Sequence, residues 1–491
     1  MRMERLGRGG TVDRVLGALA ERARILAIPG PAALSGEWFG AAAVLVPSVS
    51  VESVPPAEVF SLPADAPEPG GDDRPLIGGG RIGYLAYPDR IPDRPALPLA
   101  ASGWTDTVLR LDADGCWWYE TLGTAPCPDD LAAAVLTPPS NTDASPTAAP
   151  HAGWHIDWTP PPRDEHRRGV ERCLDAIRAG EVYQACVCTR FTGRWDGDPL
   201  AFFADGISRT ARARAYLQGS WGAVSSLSPE LFVSLRGDTL RSSPIKGTLP
   251  RSADPAGLRA SVKDVAENVM IVDLVRNDLG RIAETGSVRV EDLLTVRPAP
   301  GVWHLVSTVA AERRPGVTVT DVLDAAFPPA SVTGCPKLRA RTLLTRWEGS
   351  ARGVYCGTVG MSSPIAGTEL NVAIRTVEFG HDDTGNGVCA LGVGGGITID
   401  SDPDAEWQEC LDKAASILAL GDARAGRRSA HLVGKEPATR SGRVPRRVAP
   451  RWNGRCGPRR RRRRAPTCGA DRRRPPATMV PSGAKVTCHR P

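Results

Sequence analysis

The chain has 491 residues, 41% of them hydrophobic and 24% charged, enough to bury one large core or two ordinary ones. No apolar run approaches the roughly 18 residues that span a bilayer, and the start MRMERLGRGG lacks the apolar stretch of a signal peptide, so a cytoplasmic protein with no membrane role is expected. The formal charge of +6 hides an asymmetry: residues 423–491 hold 21 Lys and Arg against 2 Asp and Glu, leaving 40 basic and 53 acidic residues before them. An acidic body disfavours general nucleic-acid binding, while the arginine-rich tail could hold polyanions non-specifically.

In chain order, residues 1–135 carry mixed signals: VDRVLGALAERARI has the period of a helix and AAAVLVPSV that of a strand. LTPPSNTDASPTAAPHAG has no period, and residues 136–163 are expected to be a linker. The region 164–422 opens with the amphipathic helix DEHRRGVERCLDAIRAG, whose stripe is Val170, Cys173, Leu174 and Ile177 and whose end is Gly180. A strand, YQACVCTRF, follows, with Cys186 and Cys188 on one face. The twelve cysteines form no metal-ligand cluster and are expected to be reduced. LFVSLRGDTLRSS is a hairpin turning at Gly237 and Asp238. Strands and helices come in runs, which predicts an α+β fold with antiparallel sheets. Residues 423–491, rich in Arg, Pro and Gly, are expected to be a disordered basic tail.

Three features bear on chemistry. Lys246 stands in SSPIKGTLPR, expected to be a short loop at the hairpin's exit, where a lysine is most often solvated surface. SVKDVAENVMIVDLVRNDLGRI is helical and carries Asp264 and Glu267 three apart; DPDAEWQECLDKA starts another helix and carries Glu406 and Glu409 three apart. If those faces meet, four oxygen donors without histidine suit Mg²⁺ rather than zinc; otherwise they are solvated helix faces. In LGVGGGITIDSD, Gly394, Gly395 and Gly396 offer backbone N–H groups for a carboxylate, although such runs are more often plain turns. No G-x-x-x-x-G-K-[ST] occurs, and GGGRIG at 78–83 lacks a dinucleotide-binding context.

SPELF, PIKGTLPR, ENVMIVDLVRNDLGR, GVYCGTVG, AIRTV and GVGGGITIDSDPDAEWQEC, in this order and spacing, resemble the chorismate-utilising enzymes. That family includes the first components of anthranilate and aminodeoxychorismate synthases as well as isochorismate and salicylate synthases. The resemblance is strong over residues 165–420 and weaker in the N-terminal part, at GGGRIGYLAY. It implies two antiparallel sheets packed face to face and flanked by helices. It also implies that Glu267 and Glu409 hold Mg²⁺ with Asp264 and Glu406 beside them, the metal holding the ring carboxylate of chorismate. Gly247, Thr248, His304, Tyr355, Arg375 and Gly394 to Gly396 match positions around the substrate, and Arg375 can pair bidentately with the pyruvyl carboxylate. Taken alone, His304 would more often be a structural core histidine.

Gln184 stands where water-using members carry a lysine base, so the resemblance points to ammonia as the nucleophile. Cys186 departs from an asparagine common in ammonia-using relatives. Lys246 resembles the aminodeoxychorismate-forming members, and alanine at that position the anthranilate-forming ones. The expected chemistry is addition of the Lys246 amine at ring C2 as the C4 hydroxyl leaves, followed by ammonia at C4, with Glu230 of SPELF as the general acid. Glu230 should then have a raised pKa and Lys246 a lowered one. No glutaminase-type G-x-C-x-G-x-Q run is present, so a separate glutamine amidotransferase subunit is the expected ammonia donor. Anthranilate formation is the alternative, and a polyanion-binding protein acting through the tail is the reading from another class.

Overall fold

A computed structural model describes residues 1–63, 77–90, 95–138, 153–209, 213–299 and 301–420. All of them belong to one unit, Met1–Val433. The expected tail, 423–491, lies outside the described residues, as does most of the first half of the expected linker.

Among the described residues there are two antiparallel sheets. The twelve-stranded sheet runs from Arg2–Gly7 through Trp117–Thr121, Thr107–Leu111, Ala41–Val46 and Ala32–Trp38 to Ala213–Gly219 and Gly222–Ser226. It continues through Thr376–His381 and Gly387–Ile397 to Gln184–Asp196 and Gly334–Cys335. The ten-stranded sheet has Ile245–Pro250, Val302–Glu312, Thr239–Ser243 and Leu231–Arg236 at one side, then Gly367–Val372, Thr358–Ser363, Gly80–Leu85, Ala100–Thr105 and Glu52–Ser53, with Arg289–Ala299 also paired to Val302–Glu312. The first 135 residues therefore supply strands to both sheets. His155–Thr159, inside the expected linker, is a strand on Gln184–Asp196.

The sheets pack face to face through Leu34, Trp38, Val44 and Val46 on one and Ile82, Tyr84, Val359 and Met361 on the other. Helices cover the outer faces. Val12–Leu26 and Pro403–Leu418 bury Leu16, Leu19, Ala414 and Ile417 against the larger sheet. Val262–Gly280 buries Ile271, Val272, Val275 and Leu279 against Leu240 and Val309 of the smaller one. Each such Leu, Ile or Val side chain contributes about 1.5–3 kcal/mol on leaving water. The helix Arg163–Arg178 buries Val170, Cys173 and Leu174, with Gly180 beyond its end at φ 74°. The expected hairpin is present as Leu231–Arg236 and Thr239–Ser243.

One expectation needs correction, and the alternative reading of Gly394 to Gly396 as a plain turn does not hold. Lys246 is not in a loop: it lies in the strand Ile245–Pro250, whose pairing with Val302–Glu312 shifts register between Ile245 and Thr248. Gly394 to Gly396 are not a turn. They lie inside the strand Gly387–Ile397, paired with Cys188, Val187 and Cys186.

Candidate active site

The site is built around that glycine strand. Its other neighbour, Thr376–His381, pairs with it only as far as Leu391, so beyond that point one edge has no strand partner among the described residues. A Cβ on Gly396 would stand 1.8 Å from Glu267 Oε1, and one on Gly395 would stand 2.9 Å from Glu406 Oε2 and 3.7 Å from Glu409 Oε1. Glycine is what lets three carboxylates approach the backbone this closely. Successive strand residues face opposite sides, so Glu267 approaches from one side and Glu406 and Glu409 from the other.

The helices that carry them are set by local sequence. Ser261 caps Val262–Gly280 by accepting from Asp264 N, and Glu267 falls on the same buried stripe as Ile271 and Val275. Asp402 caps Pro403–Leu418 by accepting from Asp404 N and Ala405 N, with Pro403 in the first turn, and Glu406 is buried. The two helices meet through Lys263, whose Nζ is 2.5 Å from Glu406 Oε1 and 3.8 Å from Glu409 Oε2. Lys413 Nζ is 2.7 Å from Glu409 Oε1 and donates to Gly394 O at 2.7 Å. Asp264 stands apart from the other three, against Gly247, where a Cβ would be 3.1 Å from its Cβ and Cγ. Gly247 is also at φ 79°, a conformation that favours glycine.

Among the described residues no group of three or more His, Cys, Asp or Glu side chains is close enough to hold one metal ion. The donor set nevertheless fits a hard cation. It is all carboxylate oxygen, and Glu406 Oε2 is buried without a hydrogen-bond partner. Burial raises the pKa of Glu406 against the pull of Lys263. For Glu409 burial acts in the same direction, but Lys413 and Lys263 outweigh it and hold the carboxyl below its ordinary range.

Lys246 and Glu230 come together on the other side. Lys246 Nζ lies 2.5 Å from Glu267 Oε1 and donates to Ser331 O at 2.9 Å. Burial lowers its pKa, yet Glu267, with Cys186 and Glu230, more than reverses that, and the net shift is upward. The expected depression is therefore absent, because a carboxylate partner outweighs desolvation. Glu230 does match expectation: it is only 4% exposed, and burial pushes it up to about 7 against the Ser331 hydroxyl and Lys246.

Thr248 Oγ1 and His304 Nδ1 share a hydrogen bond of 2.9 Å across paired strands. Tyr355 packs over Gly392, where a Cβ would be 2.1 Å from ring Cγ. Its hydroxyl accepts from the Cys188 thiol at 3.9 Å and its N–H donates to Glu378 Oε1 at 3.2 Å. Arg375, at φ 49° where the strand Thr376–His381 begins, is half-buried, and burial lowers its pKa. A Cβ on Gly394 would meet Cys188 Sγ at 2.6 Å, so this glycine faces the thiols rather than the carboxylates. Gln184 is fully buried with both amide atoms unpartnered, its Oε1 3.0 Å from a Cβ on Gly396.

Sequence reasoning missed Lys263, Lys413 and Ser331. Lys413 was legible, since it follows Glu409 by four, the spacing of helix neighbours, whereas Lys263 reaches carboxylates of a distant helix. Ser331 carries no local signal.

Comparison with known proteins agrees with this geometry. The sequence pattern of the chorismate binding enzyme family matches residues 64–419. A curated relative, aminodeoxychorismate synthase component 1 of Klebsiella aerogenes, is 42% identical over 265 residues, or 52% of this chain and 57% of the relative. The chain spans little more than half the length of the curated relatives it matches. Among solved structures, anthranilate synthase component I from Streptococcus pneumoniae superposes with a TM-score of 0.59 at 25% identity, covering 79% of this chain and 90% of that one. The menaquinone-specific isochorismate synthase from Escherichia coli has a TM-score of 0.61 at 18% identity, covering 85% of this chain and 94% of that one, and shares the fold. With more than two thirds of its length matched by the family pattern and its glycine strand, carboxylates and lysine gathered in one place, the chain belongs to the chorismate binding enzymes.

Proposed function

We propose that the chain converts chorismate and ammonia to 4-amino-4-deoxychorismate. The observation that carries this reading is Lys246: a buried lysine inside the site, one hydrogen bond from Glu267 and close enough to Glu230 for their charges to interact. The curated relative named as an aminodeoxychorismate synthase component 1 supports it. Glu230, with a pKa near 7, is poised to give its proton to the departing C4 hydroxyl, which leaves as water. The Lys246 amine adds at C2 in the same event as the ring double bond shifts, and ammonia then attacks C4 while the C2–N bond breaks and releases the lysine amine. Addition requires a neutral amine, so the lysine must part from Glu267 before it reacts.

Glu267 and Glu409, with Glu406 and Asp264 around them, are the residues that would hold Mg²⁺, which would neutralise the ring carboxylate of the substrate. Arg375 offers a guanidinium to the second carboxylate, and Tyr355, His304 and Thr248 border the ring. A second component, an amidotransferase, is the proposed ammonia source, and Gln184 leaves the site without a lysine base for water.

The test is incubation of the purified chain with chorismate, Mg²⁺ and ammonium salt, with products resolved by mass. A product that keeps the enolpyruvyl group supports the reading. Fluorescent anthranilate with release of pyruvate would replace it, and hydroxylated isomers without amine would overturn the choice of nucleophile.

A further inference from the structure

Among the described residues the Lys246 amine donates to Glu267 Oε1 and to the carbonyl oxygen of Ser331. Addition requires the lysine to part from Glu267, and the Ser331 carbonyl, at 2.9 Å, is then the contact that decides where the amine stands. A backbone carbonyl moves only with its chain. Ser331 lies in the short turn Ala330–Val332, so whatever fixes that turn fixes the amine.

The turn is held by Arg352, whose side chain is 1% exposed and whose ion-pair partner Glu348 is 4% exposed. Nε and Nη2 donate to the two Glu348 carboxylate oxygens at 2.9 and 2.6 Å. Nη1 donates to Val332 O and Nη2 also to Cys186 O, each at 2.6 Å. The guanidinium stands 4.4 Å from the centre of the Tyr87 ring. Glu348 Oε1 in turn accepts from Cys188 N at 2.9 Å, and Cys186 N donates to Thr333 O at 2.9 Å. One planar group thus joins the residue after Ser331 to the strand Gln184–Asp196. A lysine, with a single nitrogen and no fixed plane, cannot serve four such acceptors at once. The backbone beside it is tied as well: Arg352 N donates to Asp89 Oδ2 at 3.0 Å, and Gly353 O accepts from Tyr87 N at 2.8 Å.

We infer that Arg352 is a positioning residue for the Lys246 amine, its contacts with Val332 O and Cys186 O setting the Ser331 carbonyl against the strand that carries Gln184. This deepens the proposed function and rests on it. A buried ion pair alone contributes little to stability, because desolvating both charges offsets their attraction. Its effect here is geometric, and a reacting group misplaced by about 1 Å can lose about 10²-fold in rate.

The full-length Arg352→Lys variant and the double variant Arg352→Met with Glu348→Gln test this. The double variant removes both charges, so neither is left buried alone, and keeps an acceptor for Cys188 N. Carbamoylation of Lys246 by cyanate, followed by peptide mass without substrate, should be about tenfold faster in both variants, the scale of one hydrogen bond to a charged group. The rates at Lys263 and Lys413 should not change. Per folded protein, kcat should fall about tenfold to a hundredfold while KM for chorismate stays within about threefold of wild type. A merely structural role would speed all three lysines together, or lower only the amount of active protein, and either result overturns the inference. A double variant with wild-type kcat also overturns it, since Arg352 would then serve only to balance the charge of Glu348. If Arg352→Lys does not fold, the double variant carries the same test. If the wild type forms no aminated product, the proposed function fails, while faster labelling confined to Lys246 still upholds the placing of its amine.

Discussion

The two ends of the site are built on opposite principles. At the carboxylate end three of the four acids each have a lysine: Glu267 has Lys246, Glu406 has Lys263 and Glu409 has Lys413. At the other end Arg375 is half-buried at a strained φ of 49° and no carboxylate of the described residues pairs with it. A charge that is paired in the free protein must exchange partners when a ligand arrives, whereas an unpaired buried one gains its partner outright. The difference teaches that a ligand at the first end must displace lysines, whereas at the second a guanidinium stands without an ion-pair partner among the described residues.

The largest break in this contrast should come from Lys246→Ala. It removes both the reacting amine and the partner of Glu267, and product formation should fall by about 10³-fold or more while chorismate still binds, the scale of losing a reacting group. Single-turnover assays with binding followed by calorimetry check both halves. Near-wild-type turnover would reduce the lysine to a positioning group.

Next in size, Glu267→Gln and Glu409→Gln should each lower activity by about 10²-fold at ordinary Mg²⁺, with part of the loss recovered in excess metal. Glu409→Gln leaves the Lys246 contact intact, so its loss reports the carboxylate end alone. Full activity in the presence of excess chelator would remove the metal from the proposal.

At the guanidinium end, Arg375→Met should raise KM for chorismate roughly ten- to a hundredfold with a smaller effect on kcat, since a charged hydrogen bond is worth about 1.5–3 kcal/mol. A change in kcat alone would mean that the guanidinium acts on the transition state instead.

The smallest expected effect is on pH dependence. Burial raises Glu230 and Glu378, each to about 7. As an acid that must be protonated, Glu230 should make kcat/KM fall about tenfold per unit above pH 7. The same sign governs stability. A carboxyl whose folded pKa is raised contributes stability that is complete below its unfolded value and lost as pH rises through about 7. The melting temperature should therefore be lower at pH 8.5 than at pH 6, and Glu378→Gln should lessen that fall. A melting temperature that rises over this interval would contradict the burial argument.

Much of this was legible in the sequence, unevenly. The helices carrying Asp264, Glu267, Glu406 and Glu409 follow from period and caps, because those are local properties. That Lys246 lies in a strand was not, because a register shift against Val302–Glu312 is a matter of two segments some fifty residues apart. The lysine's upward pKa shift was missed for the same reason, since the distance from Lys246 to Glu267 decides its sign. The glycine run was assigned to a site through resemblance, while local pattern alone favoured a turn. Its place in a strand depends on pairing with residues 185–194.

The strand order carries a consequence for biosynthesis. Ala32–Trp38 waits for Ala213–Gly219, and Gly80–Leu85 waits for Thr358–Ser363. Gly222–Ser226 in turn waits for Thr376–His381. A ribosome must therefore add well over a hundred residues before these early strands find their neighbours, and contacts so distant in sequence form slowly. Each has a local partner on one side, but until the distant one is made its other edge stays open, of the kind that pairs with other chains. Expression at lowered temperature or with added chaperone should therefore improve yield through the time spent half-made, without altering the finished fold.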